Sequence, residues 1–253
     1  ISSDGSIVAI GAPYNDGNGS NSGHVRVYNY NGTSWSQLGQ DIDGESSNDL
    51  CGSSVSISND GNKIAIGSGG NDGNGTDAGH VRVYSYNGTS WIQVGQNIEG
   101  ELGGDFSGEA VSISGNGNIV AIGSHANDGN GTDAGHVRVY SYNGTSWNQL
   151  GQDIDGESAG DNFGHSVSLN GHGNIIAIGG KYNDFNGSNS GHVKVYSYNS
   201  TSWNQIDQNI NGENAGDESG KSVSLSNDGT ILAIGAPYND GNGNNSGHVR
   251  IFN

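Results

Sequence analysis

"APYNDGNGSNSGHVRVYNYNGTSW", residues 12–35, sets a long run of glycine and small polar residues between two strand-like segments, and close copies of it return down the chain. The GHV triplet fixes their register. Its histidines fall at His24, His80, His136, His192 and His248, each 56 residues after the one before. With no insertion or deletion in that spacing, one supersecondary unit is copied in tandem.

Working outward through the copy near Phe163 gives the content of the unit. "GHSVSL" alternates, with Val167 and Leu169 on one face; "NGHGN" turns the chain; "IIAIGG" is almost continuously apolar. That is a hairpin whose second strand is buried on both faces. The turn returns as Asp4-Gly5, Asp60-Gly61, Asn116-Gly117, His172-Gly173 and Asp228-Gly229, which tolerate positive φ. The polar loop "KYNDFNGSNS" leads into "GHVKVYSY", and after the turn "NST" comes "SWNQIDQNI", a fourth and more polar strand. Four-stranded units of this length in tandem predict an all-β chain, a β-propeller of 56-residue four-stranded antiparallel blades. A parallel β-helix is the rival, but Asn-Gly hairpins favour antiparallel pairing. The expected arrangement is a single propeller or propeller segment over 1–253, with repeats at about 1–51 (partial), 52–107, 108–163, 164–219 and 220–253 (partial). Incomplete blades leave strand edges open, which invites self-association.

Gly numbers 47, Pro only 2 and Met none, while Val, Ile, Tyr, Ser and Thr fill the ordered runs. Twenty-six acidic against 8 basic residues give a net charge of −18. Such a chain repels nucleic acid and anionic membranes, leaving cations, neutral glycans or basic proteins as partners. No apolar run approaches the roughly 18 residues of a spanning helix, so membrane insertion is not expected. No signal peptide is recognisable, and a targeting segment of a secreted protein would lie outside this sequence. Cys51 is replaced by Ser107, Phe163 and Ser219 in the copies, which marks a packing position rather than a catalytic thiol.

"FGHSVSL…IAIGG", with Gly11-Ala12-Pro13 and Gly235-Ala236-Pro237, resembles the FG-GAP repeat, the blade unit of the integrin α-subunit head and of many bacterial and marine extracellular proteins. The literal Phe-Gly occurs only at Phe163-Gly164. Other copies read Gly67-Ser68-Gly69, Gly123-Ser124-His125 and Gly179-Gly180-Lys181. The resemblance implies a propeller, an extracellular or cell-surface setting and a role in adhesion or ligand recognition. It also implies, for some members, calcium loops between the first and second strands. Here that connection is only a short turn such as Asp60-Gly61, so those sites do not carry over.

Both long connections of each blade are expected on one rim. The first carries Asp16, Asp72, Asp128, Asp184 and Asp240, each followed two residues on by Asn18, Asn74, Asn130, Asn186 or Asn242; the second carries Glu45, Glu101, Glu157 and Glu213 with Asp49, Asp105, Asp161 and Asp217. Oxygen clusters of this kind suit Ca²⁺, although the distal Glu of a calcium loop is missing. The same alphabet also serves loops that satisfy their own backbones. The five GHV histidines are read as structural latches bonded to a neighbouring loop, with metal ligation or acid–base chemistry as the other reading. The Trp residues are expected to cover blade sides, and Arg26, Arg82, Arg138, Lys194 and Arg250 to pair with acids at the surface. Asn31, Asn87, Asn143 and Asn199 fit the glycosylation sequon at hairpin tips, as do Asn18, Asn74, Asn130 and Asn186 in the loops. Catalysis needs one unequal constellation of groups, whereas these groups repeat. His125, His165, His172, Lys181 and Lys221 are the residues that break the pattern. The expected function is an extracellular, non-enzymatic adhesion or ligand-binding propeller assisted by divalent cations, with a protein or glycan ligand. A structural subunit of a filament or surface assembly and a lectin-like propeller are the alternatives.

Overall fold

The computed structural model describes residues 1–253, all in strands, turns and loops. Sheet 1 holds β1 (Ile7–Ala12), β2 (His24–Tyr30), β3 (Trp35–Gln37) and β4 (Ile42–Asp43). Sheet 2 holds β5 (Cys51–Ile57), β6 (Lys63–Ser68), β7 (His80–Tyr86), β8 (Trp91–Gln93) and β9 (Ile98–Glu99). Sheet 3 holds β10 (Ala110–Ile113), β11 (Ile119–Ser124), β12 (His136–Tyr142), β13 (Trp147–Gln149) and β14 (Ile154–Asp155). Sheet 4 holds β15 (Phe163–Leu169), β16 (Ile175–Gly180), β17 (His192–Tyr198) and β18 (Trp203–Asn211); sheet 5 holds β19 (Ser222–Leu225), β20 (Leu232–Ala236) and β21 (His248–Phe252). Within each, neighbours in sequence are neighbours in the sheet, except that β4, β9 and β14 pair with β2, β7 and β12 and so continue the edge begun by β3, β8 and β13. This is the expected meander.

The chain divides into two compact units, 1–122 with 140–148 and 123–139 with 149–253. In the first, β1, β5 and β10 lie side by side; in the second, β15 and β19 do. Ile64, Ala65 and Ile66 on β6, like Ile176, Ala177 and Ile178 on β16, are at most 1% exposed, because a second strand is covered on both faces.

Two details differ from the sequence reading. The first-to-second connection is a four-residue loop: Ser58 N donates to Lys63 O at 2.9 Å and Gly61 N to Ser58 O at 3.0 Å. Only Gly61 has positive φ, 73°, which fits a type I turn closed by a left-handed glycine rather than a two-residue turn. The fourth strand also bulges. Between Val81↔Ile98 and Tyr84↔Gln93, three steps on β7 face five on its partner, so the strand breaks into β8 and β9. In β18 the same excess is absorbed between Val193 and Val195.

The bulge makes the joint between sheets. Gly39, at φ 76°, turns so that the Trp91 ring of the next sheet rests on it; a Cβ there would lie 2.9 Å from Cδ1 of the indole. Trp91 Nε1 donates to Leu38 O at 2.8 Å, and Gln40 pairs with both Trp91 N and Trp91 O. Trp147 repeats this on Val94 and Gln96, and Trp203 on Leu150 and Gln152. All three indoles are 2–3% exposed. The expected use of the tryptophans, as covers over a blade's side, holds for these three.

Candidate functional site

The two long connections meet, as expected, in one layer. Asn18 Nδ2 donates to Gly44 O at 2.7 Å, Asn48 N to Ser20 O at 2.8 Å and Cys51 N to Ser22 O at 3.0 Å, with a parallel bridge between Gly23 and Cys51. Asn74, Asn130 and Asn186 make the same stitch to Gly100, Gly156 and Gly212. Asp16, Asp72, Asp128, Asp184 and Asp240 each use Oδ1 to accept a backbone N–H five residues on, from Asn21, Asp77, Asp133, Asn189 and Asn245. Those five residues all have φ near +50°, so the carboxylate holds a left-handed residue in place. Asn242 is exposed in the last of these loops.

The acids of the second connection divide. Asp49, Asp105, Asp161 and Asp217 are 2–3% exposed. Asp49 Oδ2 accepts from Glu45 N and Ser46 N, Asp105 Oδ2 from Leu102 N, and Asp217 Oδ2 from Asn214 N and Asn239 Nδ2. Asp161 accepts from Asn183 Nδ2 at 3.0 Å, and burial raises its pKa. Glu45, Glu157 and Glu213 instead reach into the neighbouring sheet. Glu45 lies 3.5 Å from Arg82, Glu157 2.5 Å from Lys194 and Glu213 3.8 Å from Arg250. Arg82 Nη2 also donates to Asp43 O and Arg250 Nη2 to Asn211 O. Arg82, Arg138 and Lys194 are 2–7% exposed, so these three cations, expected at the surface, are buried, and half-exposed Glu45 and Glu157 clamp two of them. The reason is that the preceding sheet and its second connection close over the strand that carries them, as the bonds from Arg82 to Asp43 O and Glu45 show. Glu101 is exposed in the second connection of sheet 2.

The GHV histidines stand beside these clamps. His80 Nδ1 lies 3.8 Å from Glu99 and 4.0 Å from Glu45, and His248 Nδ1 3.7 Å from Glu213. His80 and His192 are at most 1% exposed with no hydrogen bond on either ring nitrogen, and His136 is 2% exposed. Burial first, then Arg82 and Lys194 respectively, pushes His80 and His192 down to about 4. In sheet 1, ligand atoms of His24, Asp41 and Asp43 lie within 4.8 Å of one another. Asp41 there is already held by the Arg26 guanidinium at 2.9 Å and by Gln37, so a cation would have to displace them. The sequons at Asn31, Asn87, Asn143 and Asn199 are exposed tips whose Oδ1 atoms accept the turn's own N–H groups.

The calcium loops of the resemblance have no counterpart in the first-to-second turns. In Ser58–Lys63 the one carboxylate, Asp60, bonds to Ser58 Oγ and Asn62 N.

In the second unit, the residues that break the repeat come together on the loop layer. His125 follows β11, His165 lies in the irregular start of β15 between Phe163 and Ser166, Lys181 follows β16 and Lys221 precedes β19. The His125 and His165 rings meet edge to face at 5.8 Å. Lys181 Nζ lies 4.6 Å from the Tyr182 ring centre, and Lys221 Nζ lies 4.7 Å from that of Tyr238 and 2.8 Å from Glu218. Burial, with the positive charges of Lys181, His125 and Lys221, holds His165 near 4. His172 lies at the opposite end of six-residue β16, in the turn. Sequence reasoning named the four residues; it did not name Tyr182, Tyr238 or exposed Phe185, although Phe185 stands where every other copy carries glycine and the two tyrosines, like Tyr14, where two copies carry Gly70 and Ala126.

The family model of the FG-GAP repeat matches residues 154–196 and 211–252. A search of curated proteins finds no significant match. Among solved structures, a chain from "Crystal Structure of Mitotic Checkpoint Complex" aligns with 92% of this chain and 56% of its own length, at 16% identity and a TM-score of 0.54. That likeness concerns the fold alone. With the repeat match it supports an FG-GAP repeat β-propeller.

Proposed function

We propose that this chain, built of FG-GAP repeats, is an extracellular, non-enzymatic adhesion or ligand-binding module that recognises a protein or glycan through its loop layer. One observation carries the reading: the repeat fixes the loops by the same bonds in sheet after sheet, and the side chains that vary on this frame include the exposed Tyr14, Leu102, Phe185 and Tyr238. A rigid frame bearing variable apolar and cationic groups suits recognition. FG-GAP propellers are often extracellular, and no helix here is long and apolar enough to cross a membrane. Calcium enters the reading through the oxygens that the loops leave over, such as Oδ2 of Asp16 and its copies. A higher melting temperature in calcium than in chelator, with bound metal, supports that assistance; identical melts and no metal end it. The module itself is tested by retention of immobilised protein on extracellular glycans and matrix proteins, with Phe185→Ala and Tyr238→Ala as loop variants. Retention that the variants reduce supports the reading, and none at all overturns it.

A second reading, self-association into an assembly, is favoured by β21. Val249 and Ile251 there are 65% and 64% exposed, whereas Val193, one repeat earlier, is fully buried. Concentration-dependent sedimentation tests it.

A further inference from the structure

Of the 8 basic residues, Arg26, Arg82, Arg138, Lys194 and Arg250 belong to the repeated position on the third strand, and Lys63 donates to Asn118 Oδ1. Lys181 and Lys221 remain, and they stand at successive steps of one strip. The end of a second strand packs against the start of the next sheet's first strand at two close stations. Gly164, beside His165, packs against Gly123, near His125; Gly179 packs against Gly220, beside Lys221, and Ser166 Oγ donates to Gly220 O at 2.7 Å. The steps therefore run His125, His165, Lys181, Lys221, Tyr238. At the same stations in the first unit stand Gly69 and the acid Glu109. The strip's cationic character thus belongs to this part of the array.

We infer that the strip His125–His165–Lys181–Lys221, with the rings of Tyr182 and Tyr238, is a binding site for the carboxylate of an acidic sugar; this rests on the ligand-binding reading above. Three observations carry it. The packing of Gly164 on Gly123 and of Gly179 on Gly220, with the His125 and His165 rings 5.8 Å apart, sets the basic groups along one strip, with Glu218 offsetting part of the charge of Lys221. Two aromatic rings flank the lysines, and Tyr238 is 41% exposed, offering an apolar surface for the C–H face of a sugar. The net charge of −18 disfavours a polyanion, whose remaining charges would meet acidic surface. A ligand with a carboxylate on an otherwise neutral, hydroxyl-rich body avoids that repulsion.

The test is titration of the 253-residue chain with methyl galacturonoside, which carries a single carboxylate, and with its methyl ester, followed by calorimetry at low and moderate salt. The acid should bind, with the ester and the variant Lys181→Gln/Lys221→Gln each weaker by tenfold or more, and salt should weaken the acid. The variant's melt should be unchanged, and Lys63→Gln should bind like the parent. Equal binding of acid and ester, an unaffected double variant, no binding at 10 mM, or a short polyglutamate peptide binding as tightly through the same lysines would each overturn the inference. If methyl galacturonoside fails while the chain is still retained on matrix proteins, only the sugar site falls; loss of both sinks the module reading too.

Discussion

Sheets 1 and 2 carry nearly the same sequence in different surroundings. Trp91 sits in the joint with sheet 1 at 2% exposure, while Trp35, after the same Asn-Gly-Thr-Ser turn, is 47% exposed and stacks on Tyr30 at 5.1 Å. Arg82 is buried and reaches across to Asp43 O and Glu45; Arg26 turns back to Asp41 of its own sheet in a two-pronged, partly exposed pair. The repeat therefore encodes half of a joint. What a residue contributes depends on whether the other half is supplied, and nothing in its local sequence says so.

The largest test of that difference is the indole. Trp91→Ala should cost about 3–5 kcal/mol in denaturant unfolding, from lost burial and a cavity, while Trp35→Ala should cost less than about 1 kcal/mol. Equal losses would break the comparison. Next comes the cation: Arg82→Ala leaves Asp43 O and Cys51 Sγ without their donor and half-exposed Glu45 without its partner, and should cost about 3 kcal/mol, against roughly 0–1 kcal/mol for Arg26→Ala. Acid should act on the same joint. His80 is held near 4 by burial and Arg82, with Glu45 and Glu99 facing it, against about 6.5 when unfolded. The unfolded chain then binds more protons between those values. The stabilisation is full above pH ~6.5 and is lost as pH falls toward 4, on the order of 3 kcal/mol at most. Burial raises Glu99, which opposes part of this, so the informative quantity is the difference between parent and His80→Asn midpoints at pH 7.5 and 5. The variant should lose less on acidification; an identical fall would remove His80 from the account. The smallest expected effect is Gln40→Ala, which removes both bonds to the Trp91 backbone at about 1 kcal/mol.

The meander was legible because period-two alternation and the 56-residue spacing report directly on pairing and copying. The bulge beside Gly39 was not, since a polar edge strand reads as extended whether or not two residues step out of register. The loop layer was placed correctly, yet the duties of its acids were hidden. Asp16 and Asp49 look alike in sequence, but one holds an exposed left-handed turn and the other is sealed between loops. Arg82 read as a surface residue because strand alternation is blind to a neighbouring sheet. Lys181 and Lys221 stood out as exceptions, but 40 residues separate them, and only the packing of Gly179 on Gly220 brings their stations together.

The stitch between the loops also gives the molecule a shelf life. Asn18, Asn74, Asn130 and Asn186 each precede a glycine, the most permissive neighbour for attack of a backbone nitrogen on a side-chain amide, and each spends that amide hydrogen on the carbonyl opposite. Deamidation would turn donor into acceptor at the seam, setting a carboxylate against Gly44, Gly100, Gly156 or Gly212. Ageing would then proceed stitch by stitch, each event adding negative charge to a chain that already carries an excess, and the loop layer would loosen before the strands beneath it.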